Sequence, residues 1–137
     1  MVVQRVRRSL LSFGRLQDGA ATIEAVLWTP VFLILFGMVT DTSTVFGRQA
    51  EILRIIQDSN RSLAVGAFQS VLQAENYITE KVKVFSGTAT VDVTMIDGNI
   101  ISTSVSVPAA DLTSTGLFDA INTLTITVGA SQMSELG

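Results

Sequence analysis

The residue types that catalyse most group-transfer reactions are scarce in this sequence. The 137 residues include no His and no Cys, so imidazole and thiol nucleophiles and the usual zinc and copper ligands are absent. Ser, Thr, Asp and Glu occur, but no spacing places a nucleophile next to a base, and there is no glycine-rich phosphate-binding loop. We therefore expect no enzymatic activity and no bound metal or cofactor.

One carboxylate stands in an unusual place. Glu24 is the only charged residue between Ala20 and Val39, an otherwise mostly apolar run of 20 residues. At about 1.5 Å rise per residue, such a helix spans about 30 Å, the thickness of a bilayer's hydrocarbon core. A carboxylate at the edge of this segment is costly and usually has a partner or a function. When Glu24 is considered alone, the simpler interpretation is a charge that is tolerated among the lipid headgroups.

A proline lies within the same apolar run. Pro30 removes the backbone hydrogen bond to the carbonyl of Val26, so we expect a kink or a loosened turn there. Trp28, two residues earlier, is expected to face lipid or to pack against a neighbour. Proline is tolerated in membrane helices, so the segment still reads as a spanning helix.

Charge is distributed unevenly along the chain. The first 19 residues carry +3, because four arginines outnumber one aspartate, and the remaining residues carry −6. The four arginines are Arg5, Arg7, Arg8 and Arg15. Basic residues beside an apolar span favour the cytoplasmic side, which predicts a cytoplasmic N-terminus and an external C-terminal domain. The acidic remainder gives no support for nucleic-acid binding.

The order of the segments differs from that of a secretory signal peptide. In a signal peptide, the small residues of the cleavage site follow the apolar run. Here Gly19, Ala20 and Ala21 precede it, so cleavage among them removes the leader and keeps the helix. The predicted divisions are a basic leader at 1–19, a transmembrane helix at 20–40 and an extracytoplasmic domain at 41–137.

The segment GAATIEAVLWTPVFLILFGMV resembles a type IV prepilin-type processing site. It combines Gly19, small residues after it, Glu24 five places beyond the glycine, and an unbroken apolar helix. In that superfamily a membrane-embedded prepilin peptidase cleaves after the glycine on the cytoplasmic face, and the glutamate at the fifth mature position is used in subunit assembly. The resemblance implies cleavage between Gly19 and Ala20, and a single-pass protein of the bacterial inner membrane.

More specifically, the segment is similar to the TadE/TadG-like pseudopilins of the tight-adherence (Tad or Flp) pilus system. These commonly show a Gly-Ala-x-x-x-Glu start and a proline several residues later, as at Pro30. Many relatives have an aromatic residue where this chain has Ala25, and the major Flp pilin is far shorter, so a minor pseudopilin fits better. The implied partners are prepilin peptidase, other pseudopilins or pilins, the Tad inner-membrane assembly machinery and membrane lipid.

Cleavage at this position would give Glu24 a physical role. It would leave Ala20 with a free ammonium about four residues from the Glu24 carboxylate. In a low-dielectric environment, the ammonium of one subunit attracts the carboxylate of its neighbour far more strongly than at a wet surface. Such a pair would fix the axial register of helices packed side by side.

An alternative remains open at the level of sequence. The chain would then be an unprocessed, membrane-anchored protein whose external domain is a protein-interaction module. The two hypotheses differ in one observable, the loss of the 19 leader residues. Both require the membrane segment, so the segment alone does not separate them.

The residues after the membrane segment predict two helical elements. Apolar residues at helical spacing, with no Pro or Gly from residue 48 to 65, extend the long helix to about Val65, and Gly66 should end or kink it. Ser70 and Gln73 then form a capping-box pattern, in which the Gln73 side chain reaches back to Ser70. A second helix from about Val71 to Val82 is expected.

Beyond Gly87 the apolar period changes to two. The segments 88–95 and 101–107 alternate, Asp97-Gly98-Asn99 between them is a strong hairpin signal, and Pro108 ends the second strand. A connection with one helical turn near Leu117-Phe118 leads to a third strand at 123–130, with Leu124 on its apolar face. Three one-sided strands need cover, so we predict an α+β domain with a small antiparallel sheet packed against the helices, a pilin-like layout.

Overall fold

A computed structural model describes residues 18–116 and 124–135 of the chain. The elements in order are helix α1 (Asp18–Ala64), helix α2 (Val71–Val82), strand β1 (Thr90–Ile96), strand β2 (Ile100–Pro108), a 3-10 turn (Ala109–Leu112) and strand β3 (Thr125–Met133). This confirms the predicted α+β class, with a long helix, a shorter helix and a three-stranded antiparallel sheet. The chain divides into two units at the boundary between Phe36 and Gly37, which lies within α1.

Two sequence predictions concern residues outside those that the structure describes. The helical turn predicted near Leu117-Phe118 lies outside the described residues, and so do the leader arginines. The described part of the same connection contains a 3-10 turn earlier, at Ala109–Leu112. Its Leu112 is fully buried, so the turn contributes an apolar side chain to the core.

α1 is one continuous helix of 47 residues, and Gly66 ends it as predicted. Gly66 has a φ of +77°, a left-handed conformation that costs other residues about 1–2 kcal/mol. The N–H of Ala67 donates to the carbonyl of Ser62 at 2.8 Å, and the N–H of Gly66 donates to that of Leu63 at 3.2 Å. These two bonds form a Schellman motif, which satisfies the last carbonyls of the helix.

α2 begins where predicted, but half of its predicted capping box is wrong. The Ser70 hydroxyl accepts a hydrogen bond from the N–H of Gln73 at 3.3 Å, as expected. The Gln73 side chain accepts instead from the N–H of Gln69, at 2.8 Å, and not from that of Ser70. The backbone of Ser70 is extended (φ −154°, ψ 154°). The N–H of the residue before it, Gln69, lies within reach of the Gln73 amide oxygen.

The sheet has the order β1-β2-β3, with both pairs antiparallel. β2 is central and alternates as predicted, with Ile101, Thr103, Val105 and Val107 buried. The hairpin signal is also confirmed, since Asp97 (φ 52°) and its neighbouring glycine (φ 71°) both have the positive φ that this turn requires.

The predicted bounds of the third strand are wrong. β3 begins at Thr125, two residues later than expected, and continues to Met133. Leu124 lies before the strand and is 57% exposed, so it does not belong to the apolar face. The register runs from Pro108↔Thr125 to Ile100↔Met133, so β3 pairs along the whole of β2. Pairing with β2 therefore extends β3 into a polar stretch. The side-chain pattern of that stretch does not by itself predict a strand.

The core lies between one face of the sheet and the two helices. It draws on the second half of α1, on α2, on all three strands and on the 3-10 turn. Its members are Ile52, Ile56, Leu63, Ala64, Ala74, Ile78, Val82, Val93, Ile101, Val105, Val107, Leu112 and Val128. The helices thus supply the cover that a small one-sided sheet needs, as predicted.

A buried polar contact fixes α1 on the sheet. The Thr103 hydroxyl donates to the Asn60 side-chain oxygen at 2.6 Å, and both residues are buried. The Asn60 amide nitrogen donates in turn to the carbonyl of Ala130 at 3.2 Å. Because buried polar groups destabilise a fold unless they are hydrogen-bonded, this arrangement admits one register of α1 over β2 and β3.

Asp41 is fully buried, although it directly follows the apolar run. Its Oδ1 accepts the N–H groups of Ser114 at 3.0 Å and Thr115 at 2.7 Å, and its Oδ2 accepts the Thr115 hydroxyl at 2.6 Å. Arg48 donates to the carbonyl of Asp111 at 2.7 Å. α1 therefore holds the 3-10 turn through Arg48 and the loop after it through Asp41.

Replacing Asp41 should destabilise the folded domain. The Asp41→Ala variant leaves two backbone N–H groups without their acceptor, so we expect unfolding to become easier by about 2–3 kcal/mol. Chemical denaturation of the full chain in detergent measures this difference. Ser43→Ala, an exposed position two residues away, should change stability by less than about 0.5 kcal/mol and is the matched control. Equal effects of the two variants would show that the loop contacts contribute nothing.

Candidate functional site

The first half of α1 contains the residues that the sequence predicts to be functional. Gly19 and Ala20 lie in the first turn of the helix, which begins at Asp18. Glu24 and Pro30 follow on the same helix. The leader arginines lie outside the described residues, so their role in membrane topology stays a prediction.

This part of α1 exposes nearly all of its apolar surface. Every side chain from residue 21 to 40 is exposed, except at the half-buried Gly37. The large apolar side chains among them expose between 45% and 68% of their surface. They are Ile23, Val26, Leu27, Trp28, Val31, Phe32, Leu33, Ile34, Leu35, Phe36, Met38 and Val39. A contiguous apolar surface of this kind marks contact with a membrane or with other proteins.

By length and composition, α1 is suited to cross a membrane once. It contains an 18-residue window with a mean hydropathy of 1.9, and none of that window is buried. Within residues 18–116 and 124–135, no other helix meets the same criteria. The Thr29 hydroxyl donates to the carbonyl of Ala25 at 2.8 Å, so this polar group is satisfied within the helix and is compatible with lipid.

Glu24 has small neighbours on its face of the helix. It lines a shallow recess together with Ala21, Ala25, Trp28 and Phe32. The two aromatic rings lie 6.2 Å apart between centroids and form one end of the recess. The two alanines leave the carboxylate accessible from the side, so a neighbouring helix or a free amino terminus can approach it closely. The recess is open and apolar, with Glu24 as its one charged group.

Ala20 and Glu24 are four residues apart on α1. Residues at this separation lie on the same side of a helix, one turn apart. An amino group at Ala20 would therefore occupy the same face as the carboxylate, at the positive end of the helix dipole. The helix also continues without interruption through Pro30, so that residue does not end it, and the kink expected there stays a prediction.

Sequence reasoning missed the polar contacts that organise the second unit. Besides Asp41 and Asn60, Asp111 accepts hydrogen bonds from the hydroxyls of Ser86 and Thr88, the latter at 3.1 Å. The partners of these side chains lie between 23 and 74 residues away along the chain. The spacing of neighbouring residues in the sequence does not predict such contacts. One feature of the sequence draws attention to Asp41, namely its position as the first charged residue after the apolar run.

Among residues 18–116 and 124–135, no three of the His, Cys, Asp and Glu side chains group in a way that would hold a metal ion. The Asp111 contacts join a carboxylate to two hydroxyls and a backbone-bound arginine, an arrangement that fixes a loop. The exposed apolar surface of α1, with Glu24 in its recess, is the candidate functional site.

Comparison with known proteins adds no relative. No protein-family model, curated protein or solved structure matches this chain. The functional argument therefore depends on the chain's own residues and geometry.

Cysteine labelling distinguishes lipid from water around the exposed helix. The chain contains no Cys, so a single introduced thiol reports on one position. Leu33 is 66% exposed and Gln57 is also exposed, so in water both Leu33→Cys and Gln57→Cys should react rapidly with a hydrophilic maleimide. In membranes we expect residue 33 to react at least about tenfold more slowly, because hydrocarbon excludes the reagent. Equal labelling of the two thiols would contradict a membrane span.

Proposed function

We propose that this chain is a minor pseudopilin of a Tad-type pilus, cleaved by prepilin peptidase after Gly19 and used to assemble or prime the pilus. Its place would be the bacterial inner membrane, with the leader in the cytoplasm and the folded domain outside. Prepilin peptidase would remove the leader, and the mature helix would pack with other pseudopilins or pilins. In this role the chain assembles with partners and does not catalyse a reaction.

One observation carries the proposal. Glu24 is the only charged residue in an exposed apolar helical surface, five places after Gly19 and one turn from Ala20. A simple membrane anchor gains nothing from a carboxylate in this position, and burying it in lipid without a partner is unfavourable. A free amino group on the neighbouring chain provides that partner.

The recess around Glu24 is consistent with this pairing. Ala21 and Ala25 flank the carboxylate, so two helices can approach closely along this face. The aromatic rings of Trp28 and Phe32 lie on the same face and would exclude water from the contact. An ion pair shielded in this way is worth more than an exposed one, and its loss leaves a charge in hydrocarbon.

The proposed assembly helix is also part of the external domain. The helix runs unbroken from the proposed cleavage site into the packed domain, where Asn60 and Thr103 fix it on the sheet. The helix that would pair through Glu24 therefore also contributes side chains to the core of the external domain. Adhesion or surface binding would then be a property of the assembled pilus.

Co-expression with a prepilin peptidase tests the proposal. We expect the full chain to lose its 19 leader residues and to begin at Ala20, as measured by intact-mass spectrometry and N-terminal sequencing. Gly19→Val should block cleavage, because it replaces the glycine that precedes the proposed cut. Gly14→Val, a second glycine within the leader, should leave cleavage unchanged and is the matched control.

The opposite result is equally clear. If the mass stays unchanged while a known prepilin is processed in the same cells, the pseudopilin proposal is wrong. The chain would then be better described as an unprocessed membrane-anchored protein with an external interaction domain.

A further inference from the structure

The Glu24 carboxylate has no positively charged neighbour on its own helix. The first basic residue of α1 is Arg48, 24 residues further on, or about 36 Å along the helix axis. Before leader cleavage, the nitrogen of Ala20 belongs to a peptide bond and carries no charge, so the ammonium that is proposed to pair with Glu24 in the pilus does not yet exist. A carboxylate at the edge of the hydrocarbon is unfavourable without a partner. In the uncleaved chain, its counter-ion therefore has to come from outside α1.

The helix directs this carboxylate toward the membrane surface. In an α-helix each Cα–Cβ bond tilts toward the N-terminus, so the side chain of Glu24 leans toward the turn that contains Ala20 and Ala21. Ala20 is the first residue of the apolar run. The charge thus approaches the boundary between hydrocarbon and headgroups, where amphipathic side chains place their polar ends.

The recess beside Glu24 has the length of one bilayer leaflet. Its lining residues, Ala21, Glu24, Ala25, Trp28 and Phe32, follow one stripe of α1. From the first to the last of them the stripe is about 16 Å long, and the hydrocarbon of one leaflet is about 15 Å deep. Only the end nearest the membrane surface carries a charge. A molecule that fills the recess from the membrane is therefore cationic at the surface and apolar below it.

The two ends of the recess suit the two parts of a lipid. Trp28 and Phe32 are exposed and lie one and two turns deeper than Glu24, at the depth of an acyl chain. Ala21 and Ala25 have only methyl side chains, so they leave room beside the carboxylate for a headgroup. The aromatic rings thus contact the chain of the lipid, and the carboxylate contacts its headgroup.

The carboxylate also selects among headgroups. A primary ammonium donates hydrogen bonds to a carboxylate at about 2.7–2.9 Å, and such charge-assisted bonds are about twice as strong as neutral ones. A trimethylammonium group has no N–H to donate, and its methyl groups keep the charge further from the carboxylate. An anionic headgroup is repelled. Glu24 therefore favours a lipid that carries a primary ammonium, such as phosphatidylethanolamine.

We propose that, in the uncleaved chain, the recess of α1 binds a phospholipid whose primary ammonium pairs with Glu24. Assembly then exchanges this lipid ammonium for the amino terminus of a neighbouring chain. The inference deepens the role proposed for Glu24 and rests on that proposal only for the membrane span. Its test uses no peptidase and no pilus, so its failure is distinguishable from a failure of leader cleavage or of pilus incorporation.

Trp28 makes lipid binding measurable, because it lines the recess and is the only tryptophan of the chain. The uncleaved full chain is reconstituted in phosphatidylcholine vesicles that contain a small, equal fraction of one lipid brominated on its acyl chains, either phosphatidylethanolamine or phosphatidylcholine. Bromine quenches tryptophan fluorescence on contact. We expect the brominated phosphatidylethanolamine to quench Trp28 at least about twofold more strongly than the brominated phosphatidylcholine. Equal quenching by the two lipids, or stronger quenching by phosphatidylcholine, overturns the proposal.

A pair of variants tests whether the carboxylate recognises the headgroup. Glu24→Gln keeps the size of the side chain, removes its charge and leaves Trp28 in place, so quenching by the two lipids should become equal. Glu51→Gln, at an exposed position beyond the apolar run, is the matched control and should keep the preference for phosphatidylethanolamine. A preference that survives in Glu24→Gln contradicts the proposal.

Two other partners of Glu24 have their own signatures. Arg15 of the leader stands nine residues before Glu24 in the sequence. If it were the counter-ion, the two lipids would quench equally in the unaltered chain, and Arg15→Gln would create the preference for phosphatidylethanolamine. If a second copy of the chain filled the recess, quenching by both lipids would fall as the ratio of protein to lipid rises. Either result overturns lipid binding in the uncleaved chain.

Discussion

Helix α1 must satisfy two different surroundings along one unbroken backbone. From residue 21 to 40 its side chains are exposed and apolar, whereas from Ile52 to Ala64 one face of the same helix is buried against the sheet. A helix meets both demands because its backbone hydrogen bonds are internal in lipid and in protein alike. The domain depends on this helix, since three one-sided strands need its second half as cover.

The polar contacts of α1 show where along the helix its surroundings change. Asp41 stands at the end of the apolar run and is fully buried beneath the loop that it binds, while Asn60 fixes the helix on the sheet. Such contacts contribute modest net stability, but each destabilises the fold when one partner is lost, so they specify a single arrangement. Ser59 is the contrast, because its buried hydroxyl has no partner among the described residues and contributes to packing alone.

Much of the fold follows from local pattern in the sequence. The second helix, the alternation in β2, the Asp97-Gly98 turn and the glycine stop at Gly66 are each encoded within a few neighbouring residues, and each is found as predicted. The bounds of β3 are not local, because pairing with β2 extends the strand through Ala130 to Met133, where polar residues mask the pattern.

The candidate site, too, is only partly predictable from the sequence. The apolar run and the lone Glu24 can be seen in the sequence, and the structure adds that this surface is exposed and that small residues flank the carboxylate. The partners of Asp41 lie 73 and 74 residues away, and those of Asn60 lie 43 and 70 residues away. Only the folded chain brings these groups together.

The central claim is that Glu24 serves assembly and not cleavage, and one measurement separates the two. In cells that contain the pilus machinery, leader removal and incorporation into pili are quantified together for Glu24→Gln, which keeps the size of the side chain and removes its charge. We predict normal leader removal and incorporation reduced at least about tenfold, since an unpaired ammonium would remain in the packed helices. Glu51→Gln, at an exposed position further along α1, should behave as the unaltered chain does. Normal incorporation of Glu24→Gln would contradict the proposed pairing.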